Sequence, residues 1–422
     1  MKTSVSKLIA ALAACLLVTG VTACTGAASG SGDGDAKTIK WLIEEPEDAT
    51  ALKALKDHVA TFTKESGIKV KISTLPFDNM RTVLQTQLRS GEGPDVFNWG
   101  SGPGFGGALA KAGLLYDLTD AYKKYNWQVF DFAKQRVTVD GKIYGVPGEL
   151  ETIGIFYNKD MFDKLGIAEP KTIDDLKAAA TALKKAGKTP FAVGDKEGWE
   201  GGHLLSMALA SQVGPETQQS IIDSGQWDSP SVADAFQLWK DFDKDGFLPK
   251  SPTSVDYDTS TSMFYSGDAG MVPTGSWLVG EIDDNTDFQV GYIPFPGPDG
   301  QGVFTGGLGS GPFISASSKK KAAAIKFVNF LASAEHGKWT IENLHTIPPM
   351  PIDIAGLKVS PLFARVLQDT ATLAEKGGFG QNIDVLTSDK VNKAMYDGFQ
   401  GVFTGQMTPA EAGKGMADAA KD

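Results

Sequence analysis

Three apolar runs, each followed by a helical pattern, constrain this chain most. "TIKWLIEE" (38–45) reads as a strand. The next segment places Leu52, Leu55, Val59 and Phe62 at helical spacing and stops at Gly67. "IKVKIST", the helix pattern "NMRTVLQTQLRSG" and a third strand "PDVFNW" follow, then the helix pattern "GALAKAGLLYDLTD". This β-α-β-α-β-α rhythm predicts a parallel sheet flanked by helices. After "DGKIYGVPGELETIGIFYNKDMFDKLG" breaks the rhythm, a second α/β pattern begins. Its first helix opens at Thr172 with Asp175 three residues on, a capping box, and closes at Gly187. Two α/β lobes joined near residues 147–152 are the economical reading. A final helix opens on Thr408, Pro409 and Glu411.

The N-terminus is read as a leader and not as fold. Lys2 and Lys7 precede "LIAALAACLLV", an apolar stretch too short to span a bilayer as a stable helix. "VTAC" (21–24) resembles a lipobox, which makes residues 1–23 a signal peptide, Cys24 the lipidated N-terminus and 24–36 a Gly/Ser/Asp tether. A plain secretory signal with an incidental Cys is the alternative. Cys15 would leave with the leader, so no disulfide, Cys nucleophile or Cys metal site is expected in the body. Loss of Lys2 and Lys7 would take the net charge from −11 to −13, which argues against nucleic acid as a partner.

The loop "GPDVFNWGSGPGFGG" (93–107) contains Gly102, Gly104 and Gly107 in G-x-G-x-x-G spacing. A dinucleotide site needs that spacing after the first strand, with an acidic residue ending the second. Here it follows the third strand and holds Pro103, so the phosphate reading fails. What survives is a loop at the carboxyl end of a strand, where open α/β sheets bind ligands. "DFDKDG" (241–246) begins like a calcium loop, but position twelve is Pro252 and not Glu, so a solvated helix end closed by Gly246 is expected. No G-x-S-x-G, P-loop or H-E-x-x-H occurs.

Trp99, Trp199 and Trp277 each stand among Gly or polar residues. A Trp at a solvent edge beside carboxylates suits carbohydrate: the ring takes the sugar's C–H face, and Asp, Glu and Asn take its hydroxyls. "GELE", with Glu149 and Glu151, lies at the lobe junction.

These segments resemble bacterial extracellular solute-binding proteins of family 1, the maltose-binding type, over nearly the whole mature chain. The matching stretches are 93–120, "YGVPGELETIGIFYNKDMFDKLGI", "SGDAGMVPTGSWLVGEI", "GGLGSGPFISASSKKKAAAIKFVNFLAS" and "FTGQMTPAEAGKGMADA". The resemblance implies a two-lobed periplasmic-binding-protein-like α/β fold with a ligand in the inter-lobe cleft and a hinge at 148–152. It implies a first lobe of 37–148 with 308–346 and a second of 149–307 with 347–422. Trp99 and Trp277 become stacking platforms, and Glu151 a hinge carboxylate bonding sugar hydroxyls. Glu44 and Glu45 end the first strand, where the family places polar contacts. Trp199 and Glu200 fall in a ligand loop. Asn98, Ser101, Glu149 and Gly307 complete the implied set. Gly102 stands where the maltose-binding type has an acidic contact, which argues against maltose. "GFGQNIDV" lacks the family's tryptophan and leaves Asn382 there. The function implied is a lipid-anchored, monomeric binding protein on the outer face of the cell membrane, delivering an oligosaccharide to an ABC permease without cofactor or metal. A cell-surface carbohydrate hydrolase is the alternative; within the binding class, a polyol phosphate is disfavoured by the absence of a basic cluster near these residues.

Overall fold

The computed structural model describes residues 37–421 except 47, 48, 301, 377 and 378. The leader, Cys24 and the tether lie outside the described residues. In chain order the strands are β1 (Thr38–Glu44), β2 (Lys69–Leu75), β3 (Val96–Gly100), β4 (Thr138–Val139), β5 (Lys142–Ile143), β6 (Leu150–Asn158), β7 (Thr189–Phe191), β8 (Ala269–Gly275), β9 (Val290–Ile293), β10 (Thr305–Leu308), β11 (Ser310–Ile314) and β12 (Gly380–Gln381).

The expected β-α rhythm forms the first sheet, ordered β11-β3-β1-β2. β1 runs parallel to β2 and β3, and the return strand β11 runs antiparallel to β3. Helix Ala49–Ser66 buries Leu55, Val59 and Phe62, one face at helical spacing, and Gly67 ends it at φ 71°. Both sheet faces are covered. Ile39, Trp41 and Ile43 pack toward Leu55 and Phe327, while Leu42 packs toward Met80 and Leu84 on helix Phe77–Ser90. That is why β1 reads as a continuous apolar run.

The second sheet is ordered β12-β10-β6-β8-β7, with β9 also against β6. Leu308 still pairs with Leu150 in this sheet, while its side chain joins the first lobe's core. The chain therefore crosses back at Gly309, whose missing Cβ would fall 2.3 Å from Glu151 Oε1 and 2.6 Å from Glu149 Oε1. Helices Trp199–Val213, Pro230–Lys244, Asp389–Thr404 and Pro409–Ala420 share one core. Both predicted capping boxes are present, Thr172–Asp175 and Thr408–Glu411. "DFDKDG" is the end of helix Pro230–Lys244, with Gly246 at φ 66°.

The glycine loop touches the second lobe. A Cβ on Gly102, at φ 101°, would lie 1.9 Å from the carbonyl oxygen of Val385, and one on Gly104 would lie 2.7 Å from that of Thr387. These glycines let two backbones meet, and no other residue fits at Gly102.

Candidate sugar-binding site

A cavity of about 240 Å³ lies at the carboxyl ends of β1 and β3. Glu44, Asn98 and Glu149 line it, with Trp41, Pro147 and His336 among its walls. Asn98 Oδ1 accepts the indole N–H of Trp41 at 3.0 Å, which fixes the amide. Glu45 is exposed just beyond β1, and its backbone N–H donates to Leu75.

Carboxylates continue from this cavity into the cleft. Gly307 pairs with Glu151 across β10 and β6 and lies against Asn382 and Val385. Asn382 is buried, and its Oδ1 accepts from the Ser206 hydroxyl at 3.3 Å. Glu149 and Glu151 are held above the usual carboxylate range. Burial is the main cause; for Glu151 the charges of Glu149, Asp384 and Glu44 add to it.

On the second lobe Trp199, His203, Tyr257 and Trp277 form an aromatic group. Trp199 opens helix Trp199–Val213, which puts His203 one turn on and on the same face. The Trp199 ring lies 4.6 Å from Tyr257 and 5.1 Å from His203, and His203 lies 5.3 Å from Trp277. Trp277 sits in the turn Ser276–Leu278 that follows β8, and its indole N–H donates to Tyr257 Oη at 2.9 Å. Tyr257 Oη and Thr274 Oγ1 are 2.8 Å apart. Asp384 joins this group: Oδ2 lies 3.8 Å from His203 Nε2 and accepts from Tyr396 Oη at 3.3 Å. Burial lowers the pKa of His203, against the opposing pull of Asp384. Burial raises that of Tyr396, with Asp384 adding to it.

Several buried polar atoms here have no protein partner: Asp384 Oδ1, His203 Nδ1, Ser101 Oγ and Arg136 Nη1. Buried polar groups are normally satisfied, so Asp384 Oδ1 and His203 Nδ1, whose residues meet beside the aromatic rings, are open to a polar ligand. The first lobe reaches across with two cations. Arg136 donates to Gln381 Oε1 at 3.1 Å, and burial pulls its pKa down to about 10. The Arg81 guanidinium sits 5.7 Å from the Tyr396 ring centre. Among the described residues no group of three His, Cys, Asp or Glu is arranged to hold a metal.

Two expectations need correction. Trp99 is not at a solvent edge. It is 7% exposed and packs on Phe77 and Phe105, each 5.7 Å away. Asn98 and Trp99 are consecutive on a strand, so they face opposite sides, and Asn98 takes the side of the larger cavity. Trp99 borders a different cavity of about 150 Å³, with Arg81, Phe105 and Asp389. Glu200 is also turned inward: it is 1% exposed, and Oε2 accepts the backbone N–H of Gly194 at 3.0 Å. Helix geometry separates it from Trp199 by about 100°.

The pattern of tryptophans and carboxylates did not single out His203, Tyr257, Asp384, Tyr396, Arg81 or Arg136. His203 had one signal, its position four residues after Trp199. Asp384 stands two residues after Asn382. The two arginines carried none, since their partners are more than 200 residues away in the chain.

The sequence profile of the bacterial extracellular solute-binding proteins matches residues 45–338. The chain belongs to that family. It is 29% identical over 355 residues to the multiple sugar-binding protein of Streptococcus mutans, covering 81% of each. To the maltotriose-binding protein of Pyrococcus abyssi it is 24% identical, over 87% of this chain and 77% of that one. Among solved structures, a chitin oligosaccharide binding protein superposes with a TM-score of 0.81 at 26% identity, covering 92% of this chain and 99% of that one. The two-lobed α/β fold is thus the family's, and family membership places the chain among extracellular or periplasmic proteins. No helix among the described residues is long and apolar enough to cross a membrane.

Proposed function

We propose that this family member captures an oligosaccharide between its lobes and delivers it to an ABC permease, held at the outer membrane face by a lipid on Cys24. The observation that carries the reading is the aromatic group of Trp199, Tyr257 and Trp277 set beside Asp384 and Glu151, with buried polar atoms left open around it. Indole and phenol rings suit the C–H face of a sugar, and carboxylates, the imidazole and Arg136 suit its hydroxyls. The names of the relatives, which speak of multiple sugars, maltotriose and chitin oligosaccharide, support the ligand class. The lobes are assigned as 37–148 with 308–346 and 149–307 with 347–422, with the crossings at 148–152 and Gly309 as hinge. The protein acts as a monomer that binds without turning over its ligand.

A thermal-shift screen against linear and branched oligosaccharides tests this, followed by chromatography of the recovered sugar. A ligand at 100 times its Kd adds about 2.7 kcal/mol to stability, a clear shift. Intact sugar is expected afterwards. Release of shorter sugars by the pure protein would replace binding with hydrolysis. Cys24→Ser is expected to abolish membrane fractionation of the mature form, and its persistence would refute the lipid anchor.

A further inference from the structure

The loop that delivers Trp199 is stitched at both ends by buried carboxyls. Gly194 N–H donates to Glu200 Oε2 at 3.0 Å, and Gly201 N–H donates to Asp195 Oδ1 at 2.7 Å. The pattern is reciprocal: each side chain grips the backbone next to the other's residue, so the loop 194–201 is closed by two rungs. Asp195 is 0% exposed and Glu200 1% exposed. The second oxygen of each, Asp195 Oδ2 and Glu200 Oε1, is buried with no hydrogen-bond partner. There is no room for slack around the clasp. A Cβ on Gly194 would lie 2.5 Å from the carbonyl oxygen of Asp256, and one on Gly201 would lie 2.8 Å from the Phe399 side chain.

We propose that Asp195 and Glu200 are a buried carboxyl clasp that positions Trp199 in the aromatic group, and that neither touches the sugar. Only the link to ligand affinity rests on the sugar-binding reading; the clasp stands on its own geometry. Two ionised carboxylates buried within one loop would repel each other without water to screen them, so the pair is closed when it carries protons. Among the described residues neither carboxyl is ion-paired with a cation. Glu197, in the same loop, is a third carboxylate, its Oε2 accepting from Tyr257 N–H at 3.3 Å. Lys196, the loop's cation, lies 3.6 Å from the carboxylate of Asp256, which caps helix Tyr257–Tyr265. From helix Asp389–Thr404, Gln400 donates to the backbone carbonyl of Asp195 at 2.8 Å, and Tyr396 packs against Gly198 and Gly202. Burial pushes Asp195 up to about 7, with Glu197 adding to it, and Glu200 well above its usual range, with the charges of Asp195 and then Glu197 adding to it. Rising pH therefore opens the clasp and frees the loop on which Trp199 rides.

The test uses protein labelled with 5-fluorotryptophan, the Trp199 resonance being assigned with Trp199→Phe. Fluorine NMR of the unliganded protein is expected to show that resonance shifting between about pH 6 and about pH 9, and not shifting in the Asp195→Asn/Glu200→Gln double variant. A wild-type resonance indifferent to pH overturns the proposal. The second arm measures, near pH 6, the Kd of whichever oligosaccharide stabilises the wild type. Glu200→Gln, which keeps the shape and the oxygen that accepts from Gly194 N–H, is expected to bind as the wild type does, and Glu200→Ala about tenfold more weakly. Equal losses in both variants would make Glu200 a direct ligand contact and overturn the positioning role. Absence of binding by every sugar would defeat the sugar reading, while the NMR arm would still decide the clasp.

Discussion

Trp99 and Trp277 look alike in sequence: each closes a strand and borders a Gly-rich turn. The structure treats them differently. Trp99 is the last large side chain on the inner face of β3, wedged between Phe77 and Phe105. Trp277 stands two residues past the end of β8, in a short turn where its side chain keeps partial exposure and its N–H is tied to Tyr257. Flanking glycines do not distinguish a packed Trp from a displayed one. What distinguishes them is whether the residue still obeys the strand's alternation or has left the strand. Trp99 obeys it and goes inward; Trp277 does not.

The sharpest way to break this comparison is to truncate both. Trp99→Ala removes a packed ring and leaves a cavity, and is expected to cost about 3–5 kcal/mol of stability, read as a large drop in Tm. A small drop would return Trp99 to the cleft. Trp277→Ala should cost clearly less stability in the unliganded protein but weaken sugar binding at least tenfold, about 1.4 kcal/mol or more by calorimetry. Unchanged affinity with a collapsed Tm would make the two tryptophans equivalent after all.

A smaller effect concerns the carboxylates that link the two lobes' contributions. The folded pKa of Glu151 is raised, so its contribution to stability is complete below the unfolded value near 4.5 and is lost as pH rises through the folded value. Glu151→Gln is expected to flatten this loss and to raise the unliganded Tm above pH 7 relative to wild type, by an amount best read as the difference between melting curves taken at acid and alkaline pH. Above the folded pKa of Glu151 it should also weaken sugar binding, because there an acceptor-only carboxylate becomes a mixed donor and acceptor. A gain in both stability and affinity would remove Glu151 from the ligand set.

Much of the architecture was legible because its signals are local. The helix with Leu55, Val59 and Phe62 stops at Gly67, and the capping boxes at Thr172 and Thr408 form as spaced. Each depends on residues within a turn or two. The glycine loop was legible in part: its place after the third strand could be read, but what its glycines are for could not. Gly102 and Gly104 are there because the backbone of 385–387, almost 300 residues downstream, passes against them.

The sequence by itself determined the alternation of strands and helices, the helix ends and the residue chemistry available to the cleft. Periodicity and capping are short-range properties that any compact arrangement must respect. Only the tertiary structure decided which way Trp99 and Glu200 point, and that Asp384 and Tyr396 meet His203, Trp199 and Trp277. Those outcomes depend on which face of each strand or helix the neighbouring elements cover. For Glu200 it was the depth of the loop beneath Trp199 that turned a carboxyl away from the cleft and into a pair with Asp195.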